Sequence, residues 1–218
     1  EFKGSAQIGG AYYLYHQEGT TDPEEEVVKE VSIADFNAAA EDDTWYKISG
    51  VVISVANATY GRLTIKDASG EVYVYGVRGE KGGSNQVFES LNVKEGDILT
   101  IIANRGSYKG DIQASNAYMD SNISVKSATV EEFIAASEGD DYYRLTGTVE
   151  NLKNTEYGNF DIKDATGSVY VYGLLTGWKG ASKQFASLEI VEGNNITLIG
   201  KRSSFNGSPE VDKAFLVS

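Results

Sequence analysis

The 218-residue chain contains no cysteine, one histidine, one methionine and two prolines. Without cysteine it has no disulfide framework, no thiolate metal site and no cysteine nucleophile. The lone imidazole, His16, sits in the aromatic stretch Tyr12-Tyr13-Leu14-Tyr15 and reads as a strand-end residue. With that one histidine in such a stretch, neither a His-built zinc site nor a Ser-His-Asp triad is expected. No run of 18 apolar residues reads as a membrane-spanning helix, and residues 1–30 lack the basic–apolar–small order of a signal peptide. Basic residues are also scarce. Nineteen Lys and Arg face 32 Asp and Glu, for a net charge of -13. That is the opposite of the basic footprint of a nucleic-acid binder. What the chain has in quantity is Gly (24) and Tyr (14), a composition of strands and tight turns.

Sliding the sequence against itself by 97 residues aligns 31–121 with 128–218 without a gap. Phe36 falls on Phe133, Gly50 on Gly147, and Tyr60-Gly61 on Tyr157-Gly158. Lys66-Asp67-Ala68 falls on Lys163-Asp164-Ala165, and Val72-Tyr73-Val74-Tyr75-Gly76 on Val169-Tyr170-Val171-Tyr172-Gly173. About 34 of the 91 positions are identical, which makes the chain two copies of one unit. A third, partial copy is expected at 1–17, where Phe2-Lys3-Gly4, Gln7 and Ala11-Tyr12 match Tyr108-Lys109-Gly110, Gln113 and Ala117-Tyr118. Residues 1–17 are therefore read as the extended terminal strand of a preceding repeat, and 18–30 as an acidic linker. The repeats are placed at 31–121 and 127–218, with a linker at 122–126.

Each repeat opens on a helix-capping pattern, Ser32-x-x-Asp35 or Thr129-x-x-Glu132, before a short helix carrying Phe36 or Phe133. A strand follows at about 46–55 and 143–152. In the next strand Leu63 and Ile65, or Phe160 and Ile162, alternate with polar residues, so one face is buried. Asp67-Ala68-Ser69-Gly70 and Asp164-Ala165-Thr166-Gly167 read as hairpin turns, the Asp side chain capping backbone N–H groups. The third strand turns Val72 and Val74 inward and Tyr73 and Tyr75 outward. A glycine-rich loop then leads to a short helical segment at Phe88-x-x-Leu91 or Phe185-x-x-Leu188, and two further strands close the unit. Five strands with a helix between the third and fourth is the order of an OB barrel. The fold class is thus mainly β: tandem five-stranded OB-like barrels, each with short helices.

The run from Tyr60 to Gly76, followed by Phe88-x-Ser90-Leu91 and Glu95-Gly96, resembles the OB-like modules of secreted and lipid-anchored surface proteins of Bacteroides-type bacteria. The resemblance covers nearly all of 31–121 and 127–218. It implies an exported, non-enzymatic module at the cell surface or outer membrane of a Gram-negative cell. Mature lipoproteins of that type begin with a lipid-carrying Cys, and this chain has none.

OB barrels take ligands on the face of their second and third strands and on the loops beside it. On that face stand Tyr73 and Tyr75, with Tyr170 and Tyr172 in the second repeat. Tyr60 and Tyr157 occupy one bordering loop, and Arg105 and Tyr108, with Arg202 and Phe205, the other. Trp178, which replaces Lys81 between the repeats, reads as a sugar-stacking residue or a lid on the barrel. Aromatic faces stack on bases or on sugar rings, and a guanidinium beside them suits hydroxyls, carboxylates or phosphates. The carboxylates suggest little: Glu41-Asp42-Asp43 and Asp140-Asp141 fit no EF-hand pattern, and no facing glycosidase pair is evident. The glycines at 79–83 and 176–180 lack Gly-Lys-Ser/Thr, so no phosphate loop, catalytic group, metal or cofactor is expected. The sequence reading is therefore a non-catalytic binding or adhesion module for a glycan or surface protein. Its alternatives are an oligonucleotide-binding protein, or a structural spacer docking on an outer-membrane complex. Because the first repeat alone sets 12 acidic against 8 basic residues, weak or absent binding of single-stranded DNA is expected.

Overall fold

A computed structural model of the chain describes residues 27–218. The terminal strand expected at 1–17 lies outside the described residues, as does most of the stretch read as an acidic linker. The first barrel is built from β2 (Trp45–Asn57), β3 (Arg62–Lys66), β4 (Glu71–Tyr75), β5 (Ile98–Tyr108) and β6 (Asp111–Ile123). It closes in the order β2-β3-β4-β6-β5 and back to β2, the β4–β6 seam being short and parallel. The second barrel repeats this with β8 (Tyr142–Asn154), β9 (Asn159–Lys163), β10 (Ser168–Val171), β12 (Asn195–Phe205) and β13 (Ser208–Leu216). It adds the two-residue strand β11 (Leu174–Leu175) on β13. Both are five-stranded OB-like barrels, and the ungapped repeat is reproduced strand for strand.

The alternating pattern sets the core. Leu63, Ile65, Val72 and Val74 point inward with Ile48, Ile101 and Phe88, all buried. Two short helices, α1 (Ile33–Ala38) and α2 (Val130–Ala135), each plug one barrel. Phe36 meets Tyr46 edge-on at 5.6 Å, and Phe133 meets Tyr143 at 5.4 Å. Thr129 and Glu132 form a complete capping box; at α1 only the Ser32 side chain accepts, from the Asp35 N–H. The hairpin carboxylates extend beyond their own turns. Asp67 accepts from Ser69 N, Ser69 Oγ and Gly70 N, and its second oxygen takes the Ile33 N–H at 3.0 Å. Asp164 does the same for Thr166, Gly167 and Val130. One carboxylate thus ties a hairpin turn to the first N–H of a helix 34 residues upstream. The segment expected to be helical before the fourth strand is a single 3-10 turn in each repeat, Phe88–Leu91 and Phe185–Leu188.

The joints between units differ from the sequence expectation. Val28–Glu30, read as the end of a linker, is a strand, β1, parallel to β2. Its counterpart β7 (Val125–Ser127) lies parallel to β8 and leaves one residue between itself and β6. The linker expected at 122–126 is therefore mostly strand. Asp97, 2% exposed, fixes this corner by accepting from Lys94 N, Asn122 Nδ2 and Val125 N. Between the barrels Val51 and Ile98 pack against Tyr142, Ile199 and Phe215. Gly177 approaches so closely that a Cβ there would stand 2.9 Å from the Ala68 Cα.

Candidate functional site

On the outer face of the first barrel a groove of about 470 Å³ opens between three elements: the β2–β3 loop, the loop that leaves β4, and β6. Tyr60 and Tyr75 are its aromatic walls. Between them lies Arg62, placed opposite Tyr75 by the β3–β4 register. Its guanidinium carbon is 4.5 Å from the Tyr75 ring centroid and 5.6 Å from that of Tyr60, and its Nη2 donates to the Tyr75 hydroxyl at 3.2 Å. Gln86 Nε2 donates to the Tyr60 hydroxyl at 3.2 Å, so both rings are braced. Arg78 enters from the loop after β4, and Gln113, Ser115 and Asn116 line the far side from β6. No carboxylate lines the groove. Among the described residues neither Arg62 nor Arg78 has an acidic partner. Two cations therefore stand beside two aromatic faces with no carboxylate among the groove's lining residues, an arrangement suited to an anionic ligand that carries flat rings.

The second barrel has a groove of about 490 Å³ at the same place, walled by Tyr157 and Tyr172. The tyrosines are kept and the charge is not. Asn159 stands where the first repeat has Arg62, Leu175 where it has Arg78, Glu210 for Gln113, Asp212 for Ser115 and Asp161 for Thr64. Burial, and then the charge of Asp212, push the Glu210 carboxyl above its ordinary range. Lys213 on the rim and Lys183, which lies 5.0 Å from the Tyr157 ring centroid and pairs with Glu156, offset the acids. An added anion would meet the Asp212 carboxylate here and no arginine.

The other residues singled out from the sequence fall in several places. Tyr73 and Tyr170, half-buried, lie one outward position along β4 and β10 from the grooves. The Tyr170 hydroxyl accepts from Asn159 Nδ2 at 2.8 Å and its ring carries Lys153. Tyr108 and Phe205 are exposed at the tips of the β5–β6 and β12–β13 hairpins and line neither groove. Arg105 is spent on structure: Nη1 donates to Glu41 at 3.0 Å, and the same carboxylate oxygen takes the Ser107 hydroxyl. Arg202 donates to the carbonyls of Ile134 and Ser203, and Lys201 beside it pairs with Asp140. Arg105 and Lys201 clasp the loop after each helix, Arg202 holds the end of α2, and none of the three lines a groove. Trp178 is a junction residue. Its Nε1 donates to Ser49 Oγ of the first barrel at 2.9 Å, and its ring meets Tyr142 and Phe215 edge-on. Sequence reasoning missed Arg62, Arg78 and the three β6 residues. Their signal lay in the positions where the repeats differ.

No protein-family model matches the sequence, and no curated protein is significantly similar to it. Solved structures resemble it in shape. The p202 HIN2 domain shares 16% identity over 79% of this chain and 92% of that one, with a TM-score of 0.35. A murine DNA-binding protein solved with double-stranded DNA shares 12% over 78% and 93%, with a TM-score of 0.34. The hypothetical protein ygiW of E. coli shares 17% over 42% and 90%, with a TM-score of 0.32.

Proposed function

We propose that the chain is a non-catalytic binding protein that lays a single-stranded nucleic acid across the groove of its first barrel. The observation that carries this is the pair Arg62 and Arg78, without an acidic partner among the described residues, beside Tyr60 and Tyr75. A strand offers unstacked bases to the tyrosines, each stack contributing about 1–3 kcal/mol, and phosphates to the guanidiniums. A duplex hides its base faces and uses only the cations. The chain-wide charge of -13 argues the other way. At physiological salt, however, charges beyond a Debye length of about 8 Å are largely screened, so the groove's own cations dominate at close range. The neutral glycan favoured by the sequence has no use for two uncompensated guanidiniums and does not suit this groove.

Fluorescence anisotropy of a labelled 20-nucleotide strand, titrated across salt concentrations, tests the reading. Two phosphate contacts give a log–log salt slope of about -1.4. Arg62→Asn with Arg78→Leu installs the second repeat's residues, and should bring the slope towards zero and weaken binding at least tenfold. Tyr75→Ala should weaken binding with little change of slope. Absence of binding, or binding indifferent to the arginine pair, would refute the assignment.

A further inference from the structure

The second groove keeps the aromatic walls and discards the arginines, and what replaces them has a chemistry of its own. Tyr172 is 61% exposed, and among the described residues no cation lies over its ring. Beside it Asn159 donates to the Tyr170 hydroxyl through Nδ2 and holds that ring in place. Asp212 and Lys213 face the same space with opposite charges. The lining is therefore near neutral, aromatic on its walls, and supplied with one carboxylate that accepts from hydroxyl donors. We propose that it is a site for a neutral saccharide, with Tyr157 and Tyr172 stacking on a sugar ring and Asp212 accepting from its hydroxyls.

The competing occupants fit less well. A phosphate chain would meet Asp212 where the first barrel offers Ser115. A cationic peptide would find the protein's own ammoniums already over Tyr157 and Tyr170 and a third, Lys213, on the rim. A saccharide asks nothing of charge. It uses the aromatic wall and donates its hydroxyls to the Asp212 carboxylate. The proposal stands on a different groove from the nucleic-acid reading, so either can fail alone.

Native-gel affinity electrophoresis of the full chain through soluble neutral polymers (glucan, mannan, xylan and galactan) tests it, with circular dichroism to confirm folding. At least one polymer should retard the protein. Tyr172→Ala and Asp212→Ala should each lose fivefold or more in affinity, Tyr172→Phe should keep it, and the Arg62→Asn, Arg78→Leu variant should be unaffected. Retardation by none of the four polymers, or retardation indifferent to Tyr172→Ala, overturns the site. So does binding of a polylysine peptide that Tyr172→Ala abolishes while the neutral polymers stay inert. The same variants titrated with the labelled strand separate the two grooves, since Tyr172→Ala should leave DNA binding unchanged.

Discussion

A single carboxylate in each repeat does the work of a helix cap and a hairpin turn together. Burial alone would push the Asp164 carboxyl up. The hydrogen bonds from the Thr166 side chain and from the N–H groups of Val130, Thr166 and Gly167 outweigh burial and hold it below the usual carboxylate range. A depressed folded value means that the stability it confers is complete above the unfolded value of about 3.9 and is lost as pH falls through the folded one. Asp164→Asn should therefore cost about 2 kcal/mol in denaturant unfolding at pH 7, and its deficit relative to the parent should shrink below pH 4. A deficit constant with pH would show that the charge is irrelevant. This role was half legible in the sequence: Asp at the head of a four-residue turn announces a local cap, but nothing local announces a helix 34 residues away. The groove arginines were less legible still. Identical positions such as Arg105 and Arg202 drew attention, and both are spent on structure, Arg105 on Glu41 after α1 and Arg202 on the Ile134 carbonyl of α2. Arg62 and Arg78 differ from their counterparts, and in this chain the differences carry the chemistry while the identities carry the barrel.

Strands of these small barrels must bend hard enough to pair on both sides. β2 gives its first half to β5 and its second to β3, and β8 likewise serves β12 and β9. The pivots are Gly50 and Gly147. A Cβ on Gly147 would stand 2.5 Å from the Lys163 carbonyl oxygen and 3.0 Å from Ile162, and one on Gly50 2.8 Å from the Lys66 oxygen. Both lie outside the positive-φ region, so it is the close approach that excludes a side chain. Gly147→Ala should lower stability by about 1–3 kcal/mol, as overpacking does, whereas Gly139→Ala, with nothing near its Cβ, should be neutral. Thermal unfolding of the two variants decides the matter, and equal midpoints would dismiss the pivot. The coincidence of Gly50 with Gly147 was visible in the repeat, but its cause was not, because the clash is with a neighbouring strand's backbone.

Taken whole, the two barrels are joined by a core of their own. Trp178 is the piece that sequence reading placed least well, since a Trp in a glycine-rich loop looks solvent-facing until the other barrel is beside it. Its ring and the Ser49 hydrogen bond span the junction, and the Ala68 N–H donates to its carbonyl at 2.9 Å. Scanning calorimetry should show one cooperative transition for the parent. Trp178→Ala should cost about 2–3 kcal/mol and split that transition in two, one step per barrel. A single unshifted endotherm would mean that the barrels are coupled by other contacts. The joint has a mechanical side as well. Only Ser124 separates β6 from β7, and β1 and β7 each lie parallel to the long strand that opens their own barrel. A pull across that joint thus finds no coil to straighten between β6 and β7, and it loads those parallel ladders in shear, all bonds together. Under tension the tandem is a stiff link up to the point where a barrel ruptures. Each rupture would then pay out some 90 residues, lengthening the tether by roughly 300 Å.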